Sequence, residues 1–195
     1  MSCRIVRWWA CALRLGPPYI YYIYSTFFVR GGRCRPGHGG PAAEAALAHG
    51  WTLAVCSTSA LPSVQAVLNH VMGQKTADKF AGVFAGDMVK AKKPAPDVYN
   101  LAADKLNLDP ADCVVVEDSR NGLLAATAAG MTCIVTQNEL TQNEDFSEAA
   151  IVLSSMGDPD GEQTVVFQNH TTAKPAGFFS LDDLEKVLAS SNKKG

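Results

Sequence analysis

The sequence predicts an α/β fold: a Rossmann-like parallel sheet with helices on both faces. From Pro41 onward, apolar runs rich in β-branched residues alternate with stretches of helical periodicity, which is typical of a parallel sheet with crossover helices. Glycine or proline separates many of these segments. The chain has 195 residues, enough for one domain with a sizeable core.

The first half of the alternating region predicts two strands and two helices. A helix over 42–49 should end at Gly50, and the apolar run 51–56 indicates a buried strand. Pro62 fits the first turn of the next helix. That helix carries an apolar stripe of Val64, Val67, Leu68 and Val71. A short strand is predicted at 82–85.

The centre predicts a helix, a strand and a second helix. Pro96 can open the first helix, and Asp97 would lie in its first turn. Its apolar side carries Val98, Leu101, Ala102 and Leu106. The β-branched run 113–116 indicates a strand, after which Ser119 is a plausible N-cap for a helix over 121–129.

The final third predicts two strands, an irregular region and one helix. The strands are expected at 131–136 and 150–153. The region 155–177 lacks periodicity and should be loop. Ser180 and Asp183 have the spacing of a capping box for a last helix.

Residues 1–34 differ from the rest because they contain five arginines and no acidic residue. We expect an atypical basic and aromatic segment over 1–34 and a core domain over 35–195. The arginine-rich start resembles an organelle transit peptide, but it has only two serines. The apolar run 19–29 is too short to cross a membrane, and its aromatic and β-branched content favours a strand.

The composition points to a small ligand. The 17 basic and 19 acidic residues give a net charge of −2, which argues against nucleic acid as a partner. No membrane-spanning segment is expected. The six cysteines lack any C-x-x-C pair, so we expect reduced thiols in a reducing compartment, not a zinc site. We also expect a monomer.

Three polar clusters follow predicted strands or loops: Ser57-Thr58-Ser59, Lys92-Lys93 and Glu117-Asp118. In a parallel sheet, ligands bind outside the carboxyl ends of the strands, where such residues converge. Hydroxyl and amide groups can hold phosphate oxygens, a lysine can neutralise them, and carboxylates can hold Mg²⁺. The sequence therefore predicts one site for a phosphoryl group and a cation.

These residues resemble the motifs of the haloacid dehalogenase-like hydrolases. Ser57 after an apolar strand, Lys93 in K-P-A-P-D, and Glu117-Asp118 in V-V-V-E-D-S look like the second, third and fourth motifs of that family, in the right order. The pattern over 35–159 is similar in particular to the CbbY-like sugar-phosphate phosphatases of photosynthetic organisms.

The resemblance implies a role for each matched residue. Ser57 and the backbone at Thr58 would bind phosphoryl oxygens, and Lys93 would stabilise charge on the phosphate and the nucleophile. Glu117 and Asp118 would position Mg²⁺. Members of the family form an aspartyl-phosphate that water hydrolyses. The resemblance also implies a small phosphorylated metabolite such as xylulose 1,5-bisphosphate as substrate, and a location in the chloroplast.

The sequence departs from the family at its first motif. An apolar strand leading into D-x-D-G-T, followed by a helical cap domain, is expected near the N-terminus, and neither is found. The one D-x-D-G pattern, at 158–161, follows the fourth motif and predicts a surface turn. We therefore expect little or no hydrolysis. The alternatives are a non-catalytic phosphate- and metal-binding remnant, an interaction domain, or an incomplete gene model in which 1–34 replaces the true N-terminus.

The missing first-motif strand would leave unpaired backbone in the middle of the sheet, between strands 51–56 and 113–116. One hypothesis is that the segment 19–29 fills this gap. It would then end at Arg30-Gly31, where the family has its nucleophile.

Several of these residues also have simpler interpretations. Glu117-Asp118 could be a charge pair at a helix N-terminus. Lys90 and Lys92 are expected to be solvated. Asp87 could face the site or belong to an ordinary turn.

Overall fold

The computed structural model describes residues 13–14, 20–21, 25–29, 42–158 and 161–191. The strands in this part of the chain are β1 (Leu13–Arg14), β2 (Ile20–Tyr21), β3 (Ser25–Val29), β4 (Thr52–Cys56), β5 (Gly82–Phe84), β6 (Cys113–Glu117), β7 (Thr132–Thr136), β8 (Ile151–Leu153) and β9 (Val166–Asn169). The helices are α1 (Ala42–Ala48), α2 (Leu61–Met72), α3 (Gln74–Ala77), α4 (Asp97–Leu106), α5 (Arg120–Ala128) and α6 (Leu181–Ser191), with a 3₁₀ turn at Pro110–Asp112.

Seven strands form one sheet in the order β5-β4-β3-β6-β7-β8-β9. Strands β4 to β8 all run in the same direction, whereas β3 and β9 are antiparallel to their neighbours. The predicted α/β fold with a parallel sheet is confirmed. β1 and β2 form a separate two-stranded antiparallel sheet.

Helices cover both faces of the sheet, as predicted. On one face, α1 and α6 pack over alternate residues of β4, β6, β7 and β8. On the other, α4 and α5 pack over the intervening residues of the same strands. Because these strands are covered on both sides, they are apolar along their length, which explains why the sequence shows them as continuous apolar runs.

Two predicted helix starts are confirmed in detail. The Ser119 hydroxyl accepts a hydrogen bond from the Gly122 N–H over 3.3 Å at the start of α5. At α6, the Asp183 N–H donates to the Ser180 hydroxyl and the Ser180 N–H donates to the Asp183 carboxylate, at 3.2 and 3.1 Å. This reciprocal pair is a capping box.

Strand β3 lies between β4 and β6, in the gap that the segment 19–29 was hypothesised to fill. The hypothesis is confirmed for Ser25–Val29, with Phe27 paired to both Ala54 and Val115. The strand runs antiparallel to both neighbours, however, so Ser25 pairs with Cys56 at the carboxyl edge of β4. The expectation that the strand ends at the position of the nucleophile is therefore wrong. Arg30 and Gly31 themselves lie outside the described residues, and the domain boundary at residue 35 stays a prediction.

Strand β9 lies inside the region that was predicted to be loop. It pairs antiparallel with β8 at the edge of the sheet, and its Val166 and Phe167 are exposed. Edge strands bury little surface, so the segment lacks the apolar alternation that would mark it in the sequence. The loop prediction is wrong for these four residues.

The described residues of the late D-x-D-G pattern, Asp158 and Gly161, form a turn. The Gly161 N–H donates to the Asp158 carbonyl over 3.3 Å, and the Asp158 N–H donates to the Glu162 carbonyl over 2.7 Å. Residues 159 and 160 lie outside the described part.

None of the helices in the described part of the chain has the length and hydropathy of a membrane span.

The position of β3 predicts a strong effect of proline at residue 27. Phe27→Pro removes an N–H from the middle of the sheet, so it should lower the free energy of unfolding by at least about 2 kcal/mol more than Phe27→Ala does. Phe27→Ala is the matched control because it removes the same side chain and keeps the N–H. Urea unfolding measures the difference, and equal losses would contradict a central position for β3.

Candidate functional site

The polar residues singled out in the sequence lie at one edge of the sheet. β4 ends at Cys56 and β6 ends at Glu117, and both strands run in the same direction. Ser57 and Asp118 follow directly after these strand ends. Residues that lie far apart in the sequence therefore share the carboxyl edge of the sheet, where ligands bind in parallel sheets.

Lys93 links the ends of these two strands. Its ammonium donates to the Glu117 carboxylate at 2.7 Å and to the Cys56 carbonyl at 3.1 Å. The side chain is only 7% exposed, although it comes from the loop before α4. The lysine predicted to neutralise a phosphate thus stands between the hydroxyl cluster and the carboxylate pair.

Glu117 is the buried partner of this lysine, with a side chain 3% exposed. A second donor, the hydroxyl of Tyr99, bonds to the same Oε1 atom. The ammonium of Lys93 also lies 4.8 Å from the centroid of the Tyr99 ring, within range of a cation–π interaction. Sequence reasoning missed Tyr99, because its position six residues after Lys93 carries no sign of this contact.

Gly122 makes room for the Glu117 carboxylate. A Cβ atom added at Gly122 would lie 1.8 Å from Glu117 Oε2, an impossible contact. The carboxylate therefore packs directly on the backbone of α5. A glycine in the first turn of a predicted helix was the available signal, since glycine is unfavourable there unless something approaches closely.

Asp118 is half-buried beside Glu117. Burial, and then the negative charge of Glu117, raise the pKa of the Asp118 carboxyl to about 6, with Lys93 acting in the opposite direction. The Glu144 carboxylate adds a smaller upward effect on this pKa. Burial and the neighbouring carboxylate therefore favour a proton or a cation at Asp118.

Arg120 fixes the start of α5 to the loop before β8. Its guanidinium forms a two-point ion pair with Glu148 and donates to the Asp145 carbonyl over 2.7 Å. Its backbone N–H donates to the Glu144 carboxylate. The hydrogen bonds from Arg120 lower the pKa of Glu148 to about 2. These exposed contacts contribute little to stability, but they hold the loop against the helix that follows Asp118.

Ser57 and Thr58 occupy the tight turn after β4. The Ser57 side chain is buried, and its Oγ accepts a hydrogen bond of 3.1 Å from the Ser59 N–H. Because the oxygen is held by this bond, the hydroxyl proton is the group that Ser57 can offer to a ligand. The Thr58 carbonyl packs on Gly86, where an added Cβ would come within 2.1 Å. Thr58 itself is exposed.

The simpler interpretations hold for several other residues. Both carboxylate oxygens of Asp87 accept a hydrogen bond from the Leu61 N–H at 3.2 Å. Asp87 therefore caps the start of α2, although it lies 26 residues further along the chain. Asp97 lies in the first turn of α4, as predicted. Lys90 and Lys92 are exposed.

The described cysteines match their prediction. Cys56, Cys113 and Cys133 are buried free thiols. Burial raises the pKa of each thiol, in the case of Cys113 to about 12. They are therefore unreactive core residues.

The residues present fit a cation held partly by water and substrate. Among the described residues there is no group of three or more His, Cys, Asp or Glu side chains that could hold a metal by themselves. Mg²⁺ usually takes one or two protein carboxylates, with water and phosphate completing its shell. Asp118, a half-buried carboxylate beside Glu117, fits that use.

Comparison with known proteins shows the family of this chain. A model of the haloacid dehalogenase-like hydrolases matches residues 19–130, more than half of the chain. The chain belongs to the haloacid dehalogenase-like hydrolases. The match includes all five of the predicted site residues.

Curated relatives carry the CbbY name. The chain is 51% identical over 120 residues to the CBBY-like protein of Arabidopsis thaliana, which covers 62% of the chain and 37% of that relative. It is 42% identical over 127 residues to CbbY of Cereibacter sphaeroides, which covers 65% of the chain and 55% of that relative. The chain thus spans about a third to about half of the length of these two proteins.

A solved structure supports the fold. The crystal structure of a CbbY mutant from Rhodobacter sphaeroides, in complex with xylulose-(1,5)bisphosphate, superposes with a TM-score of 0.53 at 40% identity. The match covers 58% of this chain and 49% of the other. The parallel sheet with flanking helices is shared.

The environment of Asp118 predicts a stabilising substitution. The folded pKa of about 6 lies above the ordinary value of an aspartate carboxyl, so the proton binds more tightly in the folded state. The tighter binding of this proton stabilises the folded state. The stabilisation is complete below the pKa of the unfolded state and is lost as the pH rises through 6. Asp118→Asn should therefore raise the free energy of unfolding by about 1 kcal/mol at pH 8 and by much less at pH 4.5.

Urea unfolding in buffer with a chelator measures this effect. Asp104→Asn, an exposed position on α4, serves as the control and should change stability little at either pH. Lower stability of Asp118→Asn than of the parent chain at pH 8 would contradict the described environment.

Proposed function

We propose that this chain provides the phosphate- and Mg²⁺-binding part of a sugar-phosphate phosphatase site. The observation that carries the proposal is the contact of one buried ammonium, that of Lys93, with the ends of both β4 and β6. A lysine held in this way places a fixed positive charge between a hydroxyl-bearing turn and a carboxylate pair. That combination suits a phosphate with a bound divalent cation.

Each predicted residue has a physical role in this proposal. The Ser57 hydroxyl donates to a phosphoryl oxygen, and the exposed Thr58 would offer its backbone N–H to the same ligand. Lys93 neutralises charge on the phosphoryl group. Lys93 and Ser57 are thus the catalytic residues that the chain itself supplies.

The carboxylates Glu117 and Asp118 take different roles in this proposal, whereas the sequence predicted that both would position Mg²⁺. Asp118 would hold Mg²⁺ directly, because its surroundings favour a positive charge. Glu117 would pair with Lys93 and so keep the positive charge of the ammonium in the site. When bound, Mg²⁺ polarises phosphoryl oxygens and offsets their negative charge.

The relatives support the proposed substrate class. One CbbY structure contains xylulose-(1,5)bisphosphate, so a small sugar phosphate of this type is the proposed substrate. A chloroplast location and a monomeric state stay predictions.

We expect this chain to hydrolyse little or nothing by itself. Its first aspartate is Asp78, so no aspartate stands before the second motif. The residue that β3 places opposite Cys56 is Ser25. Robust turnover of a generic aryl phosphate with Mg²⁺ would contradict this expectation. The alternative, a non-catalytic remnant that still binds phosphate and metal, needs only Ser57, Lys93 and the carboxylate pair.

Calorimetric titration tests the proposal without requiring turnover. Inorganic phosphate in the presence of Mg²⁺ should bind the parent chain, and Lys93→Met should weaken this binding about tenfold or more because a charge-assisted hydrogen bond is lost. Lys92→Met is the matched control: this lysine is exposed, and its loss should change the affinity less than about twofold. A folded parent chain that binds no phosphate, or equal losses in the two variants, would refute the proposal.

A further inference from the structure

Tyr99 is a tyrosine that is fully buried next to the site, and among the described aromatic residues no other places a polar group there. It is 0% exposed on α4. A buried tyrosine hydroxyl needs a hydrogen-bond partner, or its burial is costly. The partner is Oε1 of Glu117, the acidic end of the Lys93 ion pair.

The tyrosine acts on both members of that ion pair. Its hydroxyl and the Lys93 ammonium bond to the same carboxylate oxygen. Its ring lies 4.8 Å from the ammonium, where the negative face of the ring attracts the positive charge. One side chain therefore restricts both the carboxylate and the amine.

The opposite side of the carboxylate is closed by α5. Gly122 packs so near that any side chain there would overlap Glu117 Oε2. Glu117 is thus held between the backbone of one helix and the hydroxyl carried by another. Loss of the hydroxyl would release only one of these two restraints.

We propose that Tyr99 is a positioning residue for Lys93: its hydroxyl holds Glu117 so that the carboxylate keeps the ammonium between the ends of β4 and β6. This assigns Glu117 to the lysine and leaves Asp118 as the carboxylate for the cation. The proposal deepens the proposed function and rests on it for the identity of the ligand, a phosphoryl group.

Tyr99→Phe is the informative variant, because it keeps the ring and removes only the hydroxyl. Thr136→Val is the matched control. The buried Thr136 hydroxyl donates to the backbone carbonyl of Glu117 over 3.3 Å, so its loss removes a neighbouring buried hydrogen bond without touching the carboxylate. Both variants should lose similar stability in urea unfolding.

The first measurement needs no ligand. Brief acetylation with acetic anhydride, read by mass spectrometry, gives the reactivity of Lys93 relative to the exposed Lys92 in the same molecule. Tyr99→Phe should raise this ratio about tenfold, because the amine loses part of its restraint. Thr136→Val should leave it unchanged. An unchanged ratio in Tyr99→Phe, or an equal rise in both variants, would overturn the proposal.

The second measurement separates phosphate binding from metal binding. By calorimetry, Tyr99→Phe should bind inorganic phosphate about tenfold more weakly than Thr136→Val does, while Mg²⁺ alone binds both within about twofold of the parent chain. Equal phosphate losses in the two variants, or a parallel loss of Mg²⁺ affinity in Tyr99→Phe, would overturn the assignment. If the parent chain binds no phosphate, the proposed function fails, and the acetylation ratio alone decides the role of Tyr99.

Discussion

The buried ion pair between Lys93 and Glu117 is the constraint on which the rest of the site depends. A charge removed from water is costly unless it has a partner and hydrogen bonds. Here the ammonium has a carboxylate and a carbonyl, and the carboxylate also has the Tyr99 hydroxyl. Because these groups come from β4, β6, α4 and the preceding loop, the ion pair holds together elements that are distant in the sequence.

The sheet gives this pair its position. β4 and β6 carry the hydroxyl cluster and the carboxylates, yet they are not neighbours, since β3 lies between them. That strand satisfies the backbone groups of both. It runs against the direction of its neighbours, so it brings Ser25 to the site edge, whereas a parallel strand would bring its carboxyl end there. Ser57, Lys93 and the carboxylate pair thus lie at this edge in a chain whose central strand supplies no aspartate.

Much of this arrangement could be predicted from the sequence. The strands of the parallel sheet are apolar runs because both faces are covered, and the caps at Ser119 and Ser180 depend only on local spacing. The direction of β3 could not be predicted, because the side chains of a strand alternate in the same way in either direction. β9 was missed because an edge strand buries too little to leave a pattern. Tyr99 was missed because its contact with Glu117 exists only in the folded chain.

A double-mutant cycle on the ion pair tests this account most directly. The free energy of unfolding would be measured for the parent chain, Lys93→Met, Glu117→Gln and the double variant. Each single change should be strongly destabilising, because it leaves a buried charge without its partner, and the double change should cost much less than their sum, with a coupling of about 2 kcal/mol. A coupling below about 0.5 kcal/mol, the error expected for independent sites, would show that the two side chains do not depend on each other.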